Sequence, residues 1–539
     1  MMNYKRASSR GRVKWWNWSA VVSVLIASSA ATQGSAHSFA QTCEGFKPAN
    51  VATGAEIRSI TAEPAANGST AHCVVRGSIT TSPRSVINFR VDLPETAAWN
   101  SQLLHIGGGG FDGLVPTDTP MFKGMLTGML GPDAPQLAAF VVVSSDSGHQ
   151  GRGAVPWSDF SWAANNPDAI ANHADRANHL VLWAAVNLAK SFYGREPEHR
   201  YMFGGSNGGR QGLVAAQRHP QDYHGIMAMV PAISQEGFAA NLTALFQHIY
   251  SRPENWLGKE ARELFVRAQT AACDGLDGLE DGIIGNYRAC KFDPGQIVCP
   301  PGEASDPQRC LTPGQAESIR MTHASKRVDV PLADGFSGYP GHGLGSDANE
   351  WSFIFGSSFE ARDGVDFFLA DNIVKVITND PNASIVTHDP TQWRDAYLAL
   401  SKQIDATDPD LSAFAANGGK LIIWYGVGDL CVSIERTAEY IRAVEQRLGK
   451  DTTRSFLRFY ASPSLGHGLT GTGANYAPLF STLQQWVEKG HAPKQLIAAR
   501  RDAAGATAFT RPLCEYGSYP RYKGKGDTHK AGSFACEAF

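Results

Sequence analysis

The chain has 539 residues, 43% of them hydrophobic and 18% charged, with a formal net charge of −3. This is the composition of a soluble globular protein, and its mildly acidic balance gives no electrostatic case for nucleic acid or an anionic membrane surface as partner. The length admits one large domain with an insertion, or two to three ordinary domains, and the 55 glycines suit a loop-rich enzyme better than a helical scaffold.

The first fourteen residues hold five cations (Lys5, Arg6, Arg10, Arg12, Lys14) and no acid, and Ala20 to Ala31 is apolar or small. Small-residue cleavage sites follow at "GSA" (34–36) and "SFA" (38–40). Residues 1–40 therefore read as a secretory signal peptide whose apolar core is short for a bilayer span. Its removal subtracts five cations from −3 and leaves −8. No later stretch reaches transmembrane length, so a secreted or periplasmic protein is expected.

"SVINFRVDLP" (85–94), "QLLHIGGGGF" (102–111) and "AAFVVVSSDSGH" (138–149) each read as a strand ending in a turn. A helix is predicted over 175–194, then strands within 201–205 and 223–232. Further strands are predicted within 418–429 and 454–467, with a helix at 433–449 between them. Short apolar strands alternating with helices predict a mostly parallel sheet covered on both faces. The stretch 233–410 breaks that rhythm and is richer in Pro, Asp and Gly. It reads as a lid domain inserted into a catalytic domain made of 41–232 and 411–539, over the strand ends where open α/β sheets bind ligands.

"YMFGGSNGGRQGL" (201–213) places G-x-S-x-G between a short apolar run and a helix-compatible one. A strand turning sharply into a helix through a serine is a nucleophile elbow, which makes Ser206 the candidate nucleophile. The bland alternative is a Gly-rich turn with an incidental serine. A serine needs a base, and the base an orienting carboxylate, in the chain order Ser, acid, His. Asp429 ends a buried-type strand, and His467 sits in the Gly-rich loop after the next one. An oxyanion needs N–H donors, expected from Asn207 and from "GGGG" (107–110), with Gly110 or a neighbour as the second donor. "CDGLDGLEDGII" (273–284) clusters Asp274, Asp277 and Asp281 on one loop, a hard-oxygen set that suits Ca²⁺ although the spacing is not that of an EF-hand. A solvated acidic turn is the alternative.

Nine cysteines in an exported chain point to disulfides. Nearness along the chain suggests Cys43–Cys73, Cys273–Cys290, Cys299–Cys310 and Cys514–Cys536, leaving Cys431 unpaired. A zinc site is not indicated, since no C-x₂-C pair is present.

Taken together, the N-terminal cysteine pair, "LPETAAWN", "GGGGF", "SDSGH", the elbow, the acidic loop, "GVGD", "LGHGLTGTG" and the cysteine-bearing tail resemble the tannase and feruloyl esterase family of α/β-hydrolases over nearly all of the mature chain. The resemblance implies an α/β-hydrolase core, a triad of Ser206, Asp429 and His467, and a lid holding structural calcium. By position, Asp274, Asp277 and Asp281 would bind it through carboxylates, with Leu279 and Ile283 adding backbone carbonyls. It also implies a small aromatic ester as substrate, of the hydroxycinnamate, gallate or terephthalate type. Trp351, Phe353 and Phe355 are candidates to stack on its ring, and Arg362 to pair with a substrate carboxylate. One departure stands out. The family pattern places cysteines before the serine and after the histidine, joined by a disulfide, where this chain has Gly205 and Gly468. Gly205 and Gly468 are thus expected side by side beneath the triad. Two other readings remain at this stage: a non-catalytic binding protein, or a serine peptidase, on the same fold.

Overall fold

The computed structural model describes residues 38–65, 70–120, 124, 126, 128, 130–153, 155–303, 306–502 and 504–539. Residues 1–37, most of the segment read as a signal peptide, lie outside the described residues. Phe39–Phe539 form one compact unit. Its first element is a short helix, Phe39–Glu44, pinned by the Cys43–Cys73 disulfide and by Phe39 lying edge-on to Phe192 at 6.5 Å. Residues 39 and 40, assigned to the signal segment from sequence, thus belong to the fold.

Eleven strands form one sheet: β1 (Ala55–Glu63), β2 (His72–Ser82), β3 (Ser85–Pro94), β4 (Gln102–Ile106), β5 (Val141–Ser145), β6 (His199–Gly205), β7 (Gly225–Met229), β8 (Lys420–Gly426), β9 (Leu457–Ser462), β10 (Leu496–Arg501) and β11 (Thr507–Glu515). Their spatial order is β1-β2-β3-β5-β4-β6-β7-β8-β9-β11-β10. From β5 to β9 every neighbouring pair is parallel. The flanks, β1-β2-β3-β5 and β9-β11-β10, are antiparallel. The sheet is therefore mixed, with the expected parallel arrangement confined to its centre. The central strands are continuous apolar runs, every residue of β5 and β7 being buried, as a strand covered on both sides requires. Edge strand β1 instead alternates half-buried and exposed positions.

The core helices are α1 (Ala177–Tyr193), which packs on β3 and β5, and α2 (Asn207–Arg218), on β6 and β7. Helix α1 stops where Gly194 takes a left-handed conformation, φ 77°. Between β7 and β8, in the segment expected from sequence to form a lid and so called the lid, come helices α3 (Gln235–Ser251), α4 (Lys259–Cys273), α5 (Pro313–His323), α6 (Val365–Thr378) and α7 (Arg394–Ile404). After β8, α8 (Ile434–Leu448) precedes β9, and α9 (Leu479–Lys489) packs on β7 and β8.

Lid helices α5, α6 and α7 pack on α3 and share a second apolar cluster, in which Phe246 meets Phe367 edge-on at 5.2 Å. Phe111, Phe160 and Leu430 of the catalytic segments enter the same cluster. That shared burial is why the lid does not separate as a compact unit of its own. All four disulfides expected from chain proximity are present, and Cys431 is free and buried.

Candidate active site

Ser206, Asp429 and His467 lie just beyond the carboxyl ends of β6, β8 and β9, within the parallel centre of the sheet. Ser206 has φ 56° and ψ −121°, a conformation costly for a side-chain-bearing residue. Backbone bonds hold it there: its N–H donates to Met229 O at 2.9 Å, and its carbonyl accepts from Arg210 and Ala232 at 3.1 Å each.

The surrounding glycines serve close backbone contact. A Cβ on Gly204 would lie 2.4 Å from the backbone of Gly208, and one on Gly208 would lie 2.6 Å from Gly108 O. The elbow helix and the "GGGG" loop thus touch backbone to backbone, which side chains would prevent. Buried Asp112 locks the two together. Its carboxylate accepts from the Asn207 amide, from Ser147 Oγ and from Gln211 Nε2, the last at 2.6 Å. Burial pushes its carboxyl up to about 6 despite these bonds. Gly110 takes φ 56°, and neither its N–H nor that of Asn207 donates to another protein group among the described residues.

Asp429 Oδ2 accepts from His467 Nδ1 at 2.8 Å, and Asp429 Oδ1 accepts from the N–H groups of Cys431 and Val432 at 2.9 Å each. The Asp429 side chain is fully buried, and His467 is 13% exposed. Burial pulls the imidazolium down. The charge and hydrogen bond of Asp429, then the charges of Glu350 and Asp366, override it and lift His467 to about 9. No hydrogen bond joins Ser206 Oγ to His467, a link that often forms only with substrate bound. Ser206 instead opens, with Gly110 and Asn207, onto a cavity of about 40 Å³. Its apolar wall comes from Phe111, Phe238, Leu369, Ile373 and Val432, with Cys431 alongside.

Two polar residues, Ser234 and Gln235, also line it. Gln235 Nε2 donates to Asn207 Oδ1 at 3.1 Å, which leaves Gln235 Oε1 buried without a partner. None of the cavity's lining residues is charged.

The lid aromatics divide. Trp351 and Phe355 are buried in the lid core, whereas Phe353 stands edge-on to His467 at 6.0 Å. Arg362 lies over the ring of Tyr250 at 4.8 Å and does not line the cavity. Sequence reading missed Glu350 and Asp366, lid acids that face the histidine, because isolated acids in an irregular segment carry no motif. It also missed Asp112, although "GGGGFD" sets that residue directly after the Gly-rich loop.

In the acidic loop, Asp274 accepts from Gly282 N (2.7 Å) and Ile283 N (3.1 Å), and Asp277 from Leu279 N (3.1 Å). Asp281 accepts from Ile283 N at 3.1 Å and pairs with Arg511. Burial, opposed by the Leu279 bond but reinforced by the charges of Asp281 and Asp274, lifts Asp277 to about 7. The side chains are all-oxygen donors crowded at a cost that a hard cation relieves, so they fit Ca²⁺ chemically. Their ligand atoms do not converge within 4.8 Å, however. Among the described residues only His179, His219 and Asp222 do. Those two imidazoles stack at 4.3 Å with planes 18° apart. One ion cannot lie in both ring planes, so that trio is not a metal centre as arranged.

The family model of tannase and feruloyl esterase matches residues 73–537. The chain is 31% identical over 513 residues to an uncharacterised esterase of Agrobacterium fabrum, covering 90% of this chain and 89% of that one. It is 29% identical over 535 residues to a mono(2-hydroxyethyl) terephthalate hydrolase of Piscinibacter sakaiensis, covering 87% and 85%. Feruloyl esterase B from Aspergillus oryzae shares the fold, with a TM-score of 0.78, 23% identity, and coverage of 93% of this chain and all of that one.

Proposed function

The chain belongs to the tannase and feruloyl esterase family and is a carboxylic ester hydrolase; from that premise and the geometry above, we propose an acyl-enzyme mechanism on Ser206. His467 takes the Ser206 proton as Oγ attacks the ester carbonyl. The N–H groups of Asn207 and Gly110 receive the developing oxyanion, held in place by the Asp112 network. His467 then protonates the leaving alcohol and activates the water that releases the acid. Asp429 fixes the imidazole's tautomer and stabilises its charged form. The carrying observation is the elbow: a serine at φ 56° opening onto an apolar cavity, with the Asp429–His467 pair at the same end of the parallel sheet.

The substrate we propose is a small aromatic ester, uncharged at the end that enters the cavity. The wall supplies two phenylalanines and aliphatic side chains but no cation. Gln235 Oε1 is a ready acceptor for a ring hydroxyl. The cavity of about 40 Å³ is partly open and smaller than the roughly 150 Å³ that holds a benzene ring, so a ring seated in it extends towards the opening. Methyl ferulate, methyl gallate, methyl benzoate and monomethyl terephthalate, compared by kcat/KM, test this. Hydroxylated neutral esters should lead, and a tenfold preference for the terephthalate monoester would contradict it.

Calcium is proposed as a structural ion held by Asp274, Asp277 and Asp281 with the carbonyls of Leu279 and Ile283, bracing the lid. Export is proposed as well: four disulfides suit an oxidising compartment. The packing of Phe39 on Phe192 favours cleavage after Ala36 over cleavage after Ala40.

A further inference from the structure

Glu350 belongs to the lid, yet its side chain ends between two catalytic loops. One oxygen, Oε1, accepts from the N–H of His467 at 2.8 Å and from the N–H of Leu430 at 3.2 Å. It therefore ties the residue that carries the imidazole to the residue directly after Asp429. The other oxygen, Oε2, is buried and has no partner. A Cβ on Gly466 would fall 2.0 Å from it, so the glycine before His467 makes the room this carboxyl occupies. Its backbone is anchored in turn, since the N–H of Glu350 donates to Asp347 Oδ1 at 2.8 Å. The next residue, Trp351, is 1% exposed in the lid core.

We propose that Glu350 is a positioning residue: one carboxyl oxygen, delivered by the lid, holds the loops of Asp429 and His467 in register with each other. The inference rests on the assignment of those two residues as the acid–base pair. It also bears on the departure from the family pattern noted in the sequence. Glycines stand at 205 and 468, so no disulfide at these positions braces the histidine loop, and Glu350 braces that loop non-covalently against the Asp429 loop instead. A lid that moves to admit substrate would then carry the histidine loop's support with it, coupling lid position to the geometry of the base.

The titratable groups facing this carboxyl are Asp429, His467 and the buried Cys431 thiol, and Asp366 of α6 faces the same histidine. Burial and then the charge of Asp429 push Glu350 up to about 8. Near pH 7 it is therefore mostly neutral, and glutamine is a close mimic that keeps the accepting oxygen. Above pH 8 the wild-type group gains a charge that raises His467, and glutamine cannot.

The test compares Glu350→Gln and Glu350→Ala with wild type and with Ser206→Ala, on one ester across pH 6 to 10. Glu350→Gln should stay within about threefold in kcat at pH 7, and the rising limb of its pH profile should move to lower pH. Glu350→Ala should lose at least about tenfold in kcat with KM little changed, as expected when a base is misplaced by a fraction of an ångström. Wild-type kcat in the alanine variant would overturn the proposal. So would a glutamine variant as impaired as alanine, or one whose pH limb does not move; the glutamine arm decides even if the alanine variant fails to fold. An active Ser206→Ala would instead overturn the acyl-enzyme reading itself, so the two failures are distinguishable.

Discussion

His467 Nδ1 lies 2.8 Å from Asp429 Oδ2, across the ends of two adjacent parallel strands, with the carboxylate sealed from solvent. The remaining carboxylate oxygen is saturated by two backbone N–H groups. Such an acid stays in place and orients the imidazole with Nε2 free for the serine. Asp429→Asn should keep the fold but lower kcat by up to about 10⁴-fold, because the amide selects the wrong tautomer. Retention of more than a tenth of the activity would remove Asp429 from the machinery.

The same pair sets a pH dependence. His467 is lifted to about 9 by Asp429, with Glu350 and Asp366 adding to it against burial. The base must be neutral to accept the serine proton, so kcat/KM should climb from pH 7 towards pH 9. A profile already flat above pH 6.5 would show that the surrounding acids do not act on this histidine.

Asp366 is fully buried with the Cys431 thiol facing it, and burial pushes it up to about 7. A carboxyl raised in the folded state stabilises below its unfolded value near 4 and loses that contribution as pH rises through about 7. Asp366→Asn cannot ionise. Its melting temperature should therefore gain on wild type between pH 5 and pH 8.5, and a constant offset across that range would count against the buried, ionisable carboxyl.

Calcium should raise the melting temperature, and a chelator should lower it. An ion bound only by the folded state at one hundred times its Kd contributes about 2.7 kcal/mol. Asp277→Ala should abolish the response. Melting indifferent to both calcium and chelator would leave the acidic loop as a self-contained turn closed by Arg511.

Neither Gly205 nor Gly468 has a positive φ, and a Cβ on Gly468 would meet only the Thr470 methyl group, at 3.7 Å. The family resemblance sets the two glycines side by side; on that placement, cysteines at both positions should form a disulfide, adding about 2–4 kcal/mol of stability in the usual case. Mass spectrometry of the oxidised double variant checks this. Two free thiols at those positions would mean that the glycines do not replace a tether.

Much of this molecule was legible in the sequence where local chemistry is forced. Gly204 and Gly208 are needed for backbone contact, and the all-apolar stretches of β5 and β7 are needed for burial on both faces, so both announce themselves. Of the antiparallel flanks, β3 was read as a strand but β1 and β10 were not. Strand β1 is a half-exposed edge whose alternation is weak, and β10 is defined by its pairing with β11 rather than by its own pattern. The buried acids facing the histidine were silent for a similar reason. Glu350 and Asp366 matter only through where a long irregular segment brings them, and no spacing rule encodes that. Trp351 and Phe355 illustrate the converse. Their aromatic character suggested a binding role, but the lid needs a core of its own, and they fill it.

The central claim is that the ester is cleaved through a covalent intermediate on Ser206. Incubation with a slowly deacylating aromatic ester, acid quenching, and peptide mass spectrometry test it most directly. The peptide spanning 201–210 should gain the mass of the acyl group on Ser206, and Ser206→Ala should show neither adduct nor turnover. Acylation at another residue, or steady turnover by Ser206→Ala, would contradict the account.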